Sequence, residues 1–257
     1  MVVAGLFAFS CRSAKNSTKG PPAELVVAAA ADLRYAMEEL SGMFQAEHSG
    51  AVVRVNYGSS GILATQIENG APFDIFFSAD LTYPRRIVAK DMAVPNSEFL
   101  YAVGRIVVWV PSDSLIDVGE LGMDALREQS IRHIAIANPA HAPYGKAAVS
   151  AMRSLGVYEA VEQKLAYGEN VSQTLQYIQT GTAEIGIVAL SLAMAPSVRE
   201  TGRYWEIPIE TYPTMEQGGV ILKSTRSPEL ANEFRSFLLS EPAREVLRRY
   251  GFYLPAN

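Results

Sequence analysis

The sequence predicts a two-lobed α/β protein, each lobe a mixed sheet flanked by helices, with a ligand cleft between the lobes. Three observations carry this expectation. Short apolar segments alternate with helical periodicity along most of the chain, which argues for α/β layers. Two such series occur, joined by a long apolar segment, Val103–Val110, so the chain reads as crossing between two lobes twice. And 257 residues suffice for two lobes with ample core.

The elements follow in order. Residues 25–30 (Leu-Val-Val-Ala-Ala-Ala) are continuously apolar, as in a strand buried on both faces. Leu33, Met37, Leu40 and Phe44 then recur at helical spacing, with Asp32 in the position of an N-cap. Strand 51–57 leads into a helix from Gly61 that carries Ile62, Leu63 and Ile67 and stops at Asn69-Gly70. Asp74–Ser78 reads as a strand and Tyr83–Ala89 as a helix. After Val103–Val110 come strand 131–137, helices 144–155 and 171–180, strand 184–189 and strand 218–222. Helices 228–240 and 242–250 close the chain. The expected lobes are residues 24–102 plus 218–257, and residues 103–217.

Composition removes several function classes. Hydrophobic residues make up 49% and charged residues 19%, ordinary values for a globular domain. No internal stretch approaches the roughly 18–20 apolar residues of a membrane span. A net charge of −5 without basic runs argues against nucleic acid. One cysteine allows neither a disulfide framework nor a CxxC pair. That cysteine, Cys11, ends a short apolar run of small residues and precedes a polar linker. Residues 1–23 therefore read as an export signal with a lipid-modified Cys11, followed by the linker.

Four strand-to-helix junctions carry the chemistry: Ala28–Leu33, Gly58–Gly61, Ala142–Lys146 and Gly168–Val171. Each helix start offers unpaired N–H groups and a partial positive charge, a natural anion site. Gly58-Ser59-Ser60-Gly61 adds hydroxyl donors on glycine-flexed backbone, although the same four residues also make a plain capped turn. Tyr144 opens a helix that lacks a capping acid. Val171 follows Asn170, a candidate N-cap, and offers its N–H alone. Asp32 is ambiguous: its carboxylate either turns away to cap its own helix or accepts a proton from a protonated ligand. His48, His133 and His141 are scattered and read as surface or loop histidines. Asp74 and Asp80 flank a strand end and read as solvated carboxylates. No H-E-x-x-H, G-x-S-x-G or phosphate-loop motif occurs, and no nucleophile or acid–base pair stands out for an enzyme on this scaffold.

At these residues the chain resembles the molybdate/tungstate-binding proteins of ABC importers, within the type II periplasmic binding-protein fold. The resemblance covers about residues 24–254. It rests on Ala28-Ala-Ala-Ala-Asp-Leu33, Gly58-Ser-Ser-Gly61, Gln66-Ile-Glu-Asn-Gly-Ala-Pro-Phe-Asp74, Phe77-Ser-Ala-Asp80, Pro143-Tyr-Gly145, Gly168-Glu-Asn-Val171, Gly186-Ile-Val-Ala-Leu190 and Arg249-Tyr-Gly-Phe252. It implies an exported binding protein, with no reaction, that closes two lobes around molybdate or tungstate and delivers it to a membrane permease driven by a cytoplasmic ATPase. It implies that Ser60 donates hydroxyl and amide, that Tyr144 and Val171 donate amides, and that Ala31 and Asp32 complete the shell. Ser59 and Asn170 are secondary candidates. The metal arrives as an oxyanion, so no side chain is expected to ligate it directly and no further cofactor is expected; the protein is expected to be a monomer. Two residues depart from the family pattern. Position 32 commonly carries Ser or Asn, and a Tyr found after the Gly-Ile-Val strand in some members is Ala189 here. The Asp leaves open a second reading, a protonated oxyanion such as phosphate or a phosphonate, with Asp32 as acceptor.

Overall fold

The computed structural model of the protein describes residues 23–254; the expected leader and Cys11 lie outside them. In chain order the elements are β1 (Ala23–Ala30), α1 (Arg34–Glu47), β2 (Ala51–Gly58), α2 (Ser60–Glu68), β3 (Ile75–Ser78), α3 (Thr82–Ala89), β4 (Phe99–Gly104) and β5 (Ile106–Pro111). They continue with α4 (Val118–Leu121), β6 (Ile134–Ala137), α5 (Pro143–Ser154), α6 (Tyr158–Val161), β7 (Leu165–Gly168), α7 (Val171–Gln179), β8 (Ile185–Ala189) and α8 (Leu190–Ala193). Last come β9 (Gly202–Glu206), β10 (Met215–Ile221), α9 (Pro228–Leu238) and α10 (Glu241–Arg249).

The strands form two five-stranded mixed sheets, ordered β2-β1-β3-β10-β4 and β7-β6-β8-β5-β9. In the first, β1 runs parallel to β2 and β3, while β10 is antiparallel to β3 and β4. The second repeats the plan: β6 is parallel to β7 and β8, and β5 is antiparallel to β8 and β9. Helices cover both faces of the first sheet. Leu25, Val27 and Ala29 of β1 pack with Met37, Leu40 and Phe44 of α1 on one face. Ala28, Phe76 and Val220 pack with Leu63 and Ile67 of α2 on the other. This two-residue alternation, apolar on both sides, explains why β1 reads as an unbroken apolar run.

The expected strand Val103–Val110 divides. β4 stops at Gly104, Arg105 stands alone, and β5 begins at Ile106 in the other sheet. Continuous apolarity hid the break because Val103–Gly104 and Ile106–Val110 are both sheet-forming stretches, each belonging to a different sheet. β9 had no sequence signal, and β7 only the junction at Gly168–Val171. β7 is four residues long and largely half-exposed, and β9 (Gly-Arg-Tyr-Trp-Glu) lies half-exposed at an edge. The chain returns to the first sheet between β9 and β10.

Asp74 corrects the expectation of a solvated carboxylate. It is 5% exposed and ties three segments together. Its Oδ2 accepts from Val26 N–H at 2.6 Å, and its Oδ1 accepts from Thr225 Oγ1 at 2.8 Å and Arg226 N–H at 3.0 Å. Removing the carboxylate strands buried donors, so Asp74→Ala is expected to cost about 2–4 kcal/mol. Denaturant unfolding followed by circular dichroism checks this; loss below about 0.5 kcal/mol would show the three bonds to be dispensable.

Candidate functional site

All four junctions meet between the two sheets. Residues 30–32, 58–60, 142–144 and 170–171, with Ala79, line one small cavity of ≈ 10 Å3. Organic ligands occupy pockets of roughly 300–1,000 Å3, so the space suits a compact ion. The lining contains no Lys, Arg or His. Ala31, Asp32, Ser60, Tyr144 and Val171, with Ser59 and Asn170, are thus brought together, although they come from four segments spread over 142 positions of sequence.

The donors can be counted turn by turn. In α7, Asn170 Oδ1 accepts from Ser172 and Gln173 N–H, and the Asn170 carbonyl accepts from Thr174 N–H. This leaves the N–H of Val171 unspent at the pocket. In α5, Pro143 has no N–H, and Gly145 and Lys146 donate to the Ala142 carbonyl, which leaves Tyr144. In α2, Gly61 N–H donates to the His141 carbonyl at 3.0 Å and Leu63 N–H to the Ser59 carbonyl, which leaves Ser60 and Ile62, and of these only Ser60 lines the cavity. Helix geometry supplies these orphans, because a first turn has no preceding carbonyl to bond. Ser60 contributes more: its Oγ accepts from Ala79 N–H at 3.0 Å, so its hydroxyl proton is free to donate into the cavity. The side chain is fully buried.

The two lobes are closed on this cavity by neutral contacts. Ser172 Oγ donates to the Ala31 carbonyl at 2.8 Å, and Ser191 Oγ donates to the Asp32 carbonyl at 2.8 Å. Ser59 Oγ and His141 Nδ1 share a hydrogen bond of 2.8 Å, so the hydroxyl of Ser59 serves the lobe contact. Asn170 likewise spends its side chain on capping. His141 read as a loop histidine from sequence; it is half-buried and bridges the lobes.

Asp32 does not cap its helix. Residues Ala31–Leu33 form a single 3-10 turn without a side-chain cap. The carboxylate instead reaches across the lobes, 1% exposed. Its Oδ2 accepts from Tyr144 O–H at 2.9 Å and from Gln217 Nε2–H at 2.8 Å, and Gln217 Nε2 also lies 3.0 Å from Tyr144 Oη. The expected cap is overturned because these two strong donors lie within reach, whereas the tight 3-10 turn offers the side chain no capping geometry. Sequence reasoning could not find Gln217, which lies 185 positions away and has no local signal. Gly104 makes room for the cluster: a Cβ there would sit 2.6 Å from Gln217 Nε2 and 2.7 Å from Tyr144 Oη.

Burial pushes the Asp32 carboxyl up to about 6, against the pull of the Gln217 and Tyr144 bonds and of the backbone N–H groups of Asp32 and Leu33. Burial, and then the Asp32 charge, push the Tyr144 and Tyr101 phenols well above their usual range. Among the described residues no group of three or more His, Cys, Asp or Glu could hold a metal ion. Nor is any helix of those residues long and apolar enough to cross a membrane.

Two stability outcomes follow. Gly104→Ala is expected to wedge the cluster and cost about 1–3 kcal/mol; an unaltered melting midpoint would contradict the tight packing at Gly104. For Asp32, the raised pKa means the folded state holds its proton more firmly than the unfolded state does. Its burden is absent below the unfolded value of 3.8 and grows as pH rises through about 6. A shift of about two units corresponds to at most roughly 3 kcal/mol. Asp32→Asn is therefore expected to gain on the wild type in thermal melts as pH rises from about 4 to about 7, and a pH-independent difference would refute the linkage.

A family model described as "Bacterial extracellular solute-binding protein" matches residues 25–253. The molybdate-binding protein ModA of Rhodobacter capsulatus is 37% identical over 229 residues, 89% of this chain and 88% of that protein. The molybdate-binding protein ModA of Azotobacter vinelandii is 35% identical over 232 residues, 90% of each. Among solved structures, the Azotobacter vinelandii periplasmic molybdate-binding protein superposes with a TM-score of 0.83 at 32% identity, over 90% of this chain and 100% of that one. With a two-lobed fold, a closed anion-sized cavity and a family match across nearly all described residues, the chain belongs to the bacterial extracellular solute-binding proteins.

Proposed function

We propose that this protein captures molybdate, and tungstate in its place, outside the cytoplasm and hands it to an ABC permease driven by a cytoplasmic ATPase. The observation that carries the reading is the convergence of unspent donors on one closed cavity: the N–H groups of Ser60, Tyr144 and Val171 and the Ser60 hydroxyl, with Ala31 and Asp32 beside them in the lining. The names of the two curated relatives support the choice of ion over phosphate. The protein acts as a monomer, held at the outer membrane face by a lipid on Cys11.

The mechanism is binding without reaction. Neutral donors surround a fully ionised tetrahedral anion, and each charge-assisted bond is stronger than a neutral one. Donors belong to both lobes, so only the closed form completes the shell. The anion therefore stabilises closure by its differential affinity for that form, and the permease reads the closed face. Sulfate has the same charge and shape, so selection against it rests on the size of the cavity.

Calorimetric titration with molybdate, tungstate, sulfate and phosphate tests the reading. The two metal oxyanions are expected to bind with one site per chain, and sulfate and phosphate far more weakly. Phosphate binding stronger than molybdate binding would reverse the assignment. Ser60→Ala removes one donor to a charged ligand, about 1.5–3 kcal/mol, and is expected to weaken molybdate binding roughly tenfold to a hundredfold; unchanged affinity would place the anion elsewhere.

A further inference from the structure

The carboxyl of Asp32 is unevenly satisfied. Both side-chain donors that reach it, Tyr144 O–H and Gln217 Nε2–H, bond to Oδ2, and the backbone N–H groups of Asp32 and Leu33 pull on the carboxyl less strongly. Oδ1 is buried and has no hydrogen-bond partner. The residue lines the anion cavity, between backbone donors that would face the ion. The groups packed around it are Tyr144 from α5, Gln217 from β10, Ser191 from α8 and Tyr101 from β4, and none is a cation. An ionised carboxylate here would stand beside a doubly charged anion in a space closed to water. Like charges so placed favour the neutral acid. A carboxylic acid has one acceptor oxygen and one donor, and the two oxygens of Asp32 are already divided in that way. Oδ2 has the acceptor's surroundings, and Oδ1 alone has room for a proton.

We propose that Asp32 is the neutral acid in the loaded, closed protein, with its proton on Oδ1, so that capture of one oxyanion takes up one proton from the solvent. The inference rests on the oxyanion reading above. It balances simply: ionised open protein, one proton and one dianion give the neutral-acid complex, and the reverse step releases both. Asp32 thus supplies a neutral donor where relatives are expected to carry Ser or Asn, and it does so only when protonated. Closure is part of the coupling. Tyr144 and Ser191 lie in the other lobe, so the carboxyl loses water only when the lobes meet.

The direction with pH follows. An open, solvated Asp32 titrates near 3.8, and the closed form near 6 before any anion adds its repulsion. Above the loaded form's pKa neither state carries the proton, and below the open form's pKa both do. Between them affinity rises as pH falls, by about tenfold or more from mildly alkaline to mildly acidic solution.

The test is calorimetry of the full chain with sodium molybdate, near neutral pH, in two buffers of different ionisation enthalpy. A buffer-dependent heat that reports uptake of a substantial fraction of a proton per anion is expected. On loading, infrared difference spectra are expected to gain the C=O stretch of a protonated carboxylic acid. Asp32→Asn is expected to lose the proton uptake, the infrared band and the rise in affinity at low pH together. Equal heats in both buffers, or uptake that persists in Asp32→Asn, would overturn the proposal, the latter by placing the proton on the ligand or another group. The wild-type heats and spectra decide the matter even if that variant does not fold. Absence of any molybdate or tungstate binding would instead sink the oxyanion reading, and this inference with it.

Discussion

Backbone N–H groups in the first turn of a helix have no carbonyl upstream to bond, and leaving them buried without an acceptor is costly. In this chain four such turns are buried against one another at the lobe boundary. Caps and carbonyls account for most of their donors: Asn170 for α7, Ala142 for α5, and Ser59 and His141 for α2. What remains is a small set of donors aimed at one space, and the other features of the centre serve to keep that space dry and closed. A site made this way attracts an anion without a single cation in its wall. In a protein whose net charge is −5, that local arrangement has to do the work that a global field would otherwise do.

The contacts that close the lobes are of a kind suited to opening again. Ser172, Ser191, Ser59 and Tyr144 each contribute a hydroxyl bond across the boundary, where a net gain of about 1 kcal/mol per bond is typical. Water replaces such bonds readily when the lobes part. An extensive interlobe salt-bridge network would hold the protein shut whether or not it was loaded. The buried Asp32 stands out among these contacts by its lopsided hydrogen bonding, with both side-chain donors on Oδ2 and none on Oδ1.

Much of the fold was legible in the sequence because it is local. The apolar run 25–30, the helical spacing of Leu33, Met37, Leu40 and Phe44, and the Asn170 cap each depend on neighbours a few positions away. Ser60, Tyr144 and Val171 could be singled out for the same reason: an unspent N–H is a property of one turn. Asp32 could not be read, since its partners lie 112 and 185 positions away, Gln217 brought to it by the first sheet and Tyr144 by closure of the lobes. The edge strand β9 was silent, and β7 showed only in its junction with α7, because half-exposed edges carry no strict alternation. Val103–Val110 misled for the opposite reason: apolarity persists on both sides of Arg105 while the sheet it belongs to changes.

The place where the chain changes lobes has a mechanical consequence. β4 and β10 are neighbours at one margin of the first sheet, and β5 and β9 are neighbours at one margin of the second. The two crossings, β4 to β5 through Arg105 and β9 to β10, therefore run side by side as a two-stranded strap. A single tether would let one lobe swivel and slide as well as bend, whereas paired straps resist torsion and leave bending as the soft coordinate. Lobe motion is thus reduced to one dimension, a gap angle. A molecule that senses this protein from outside has a single variable to measure, and the presence of the ion is written in it.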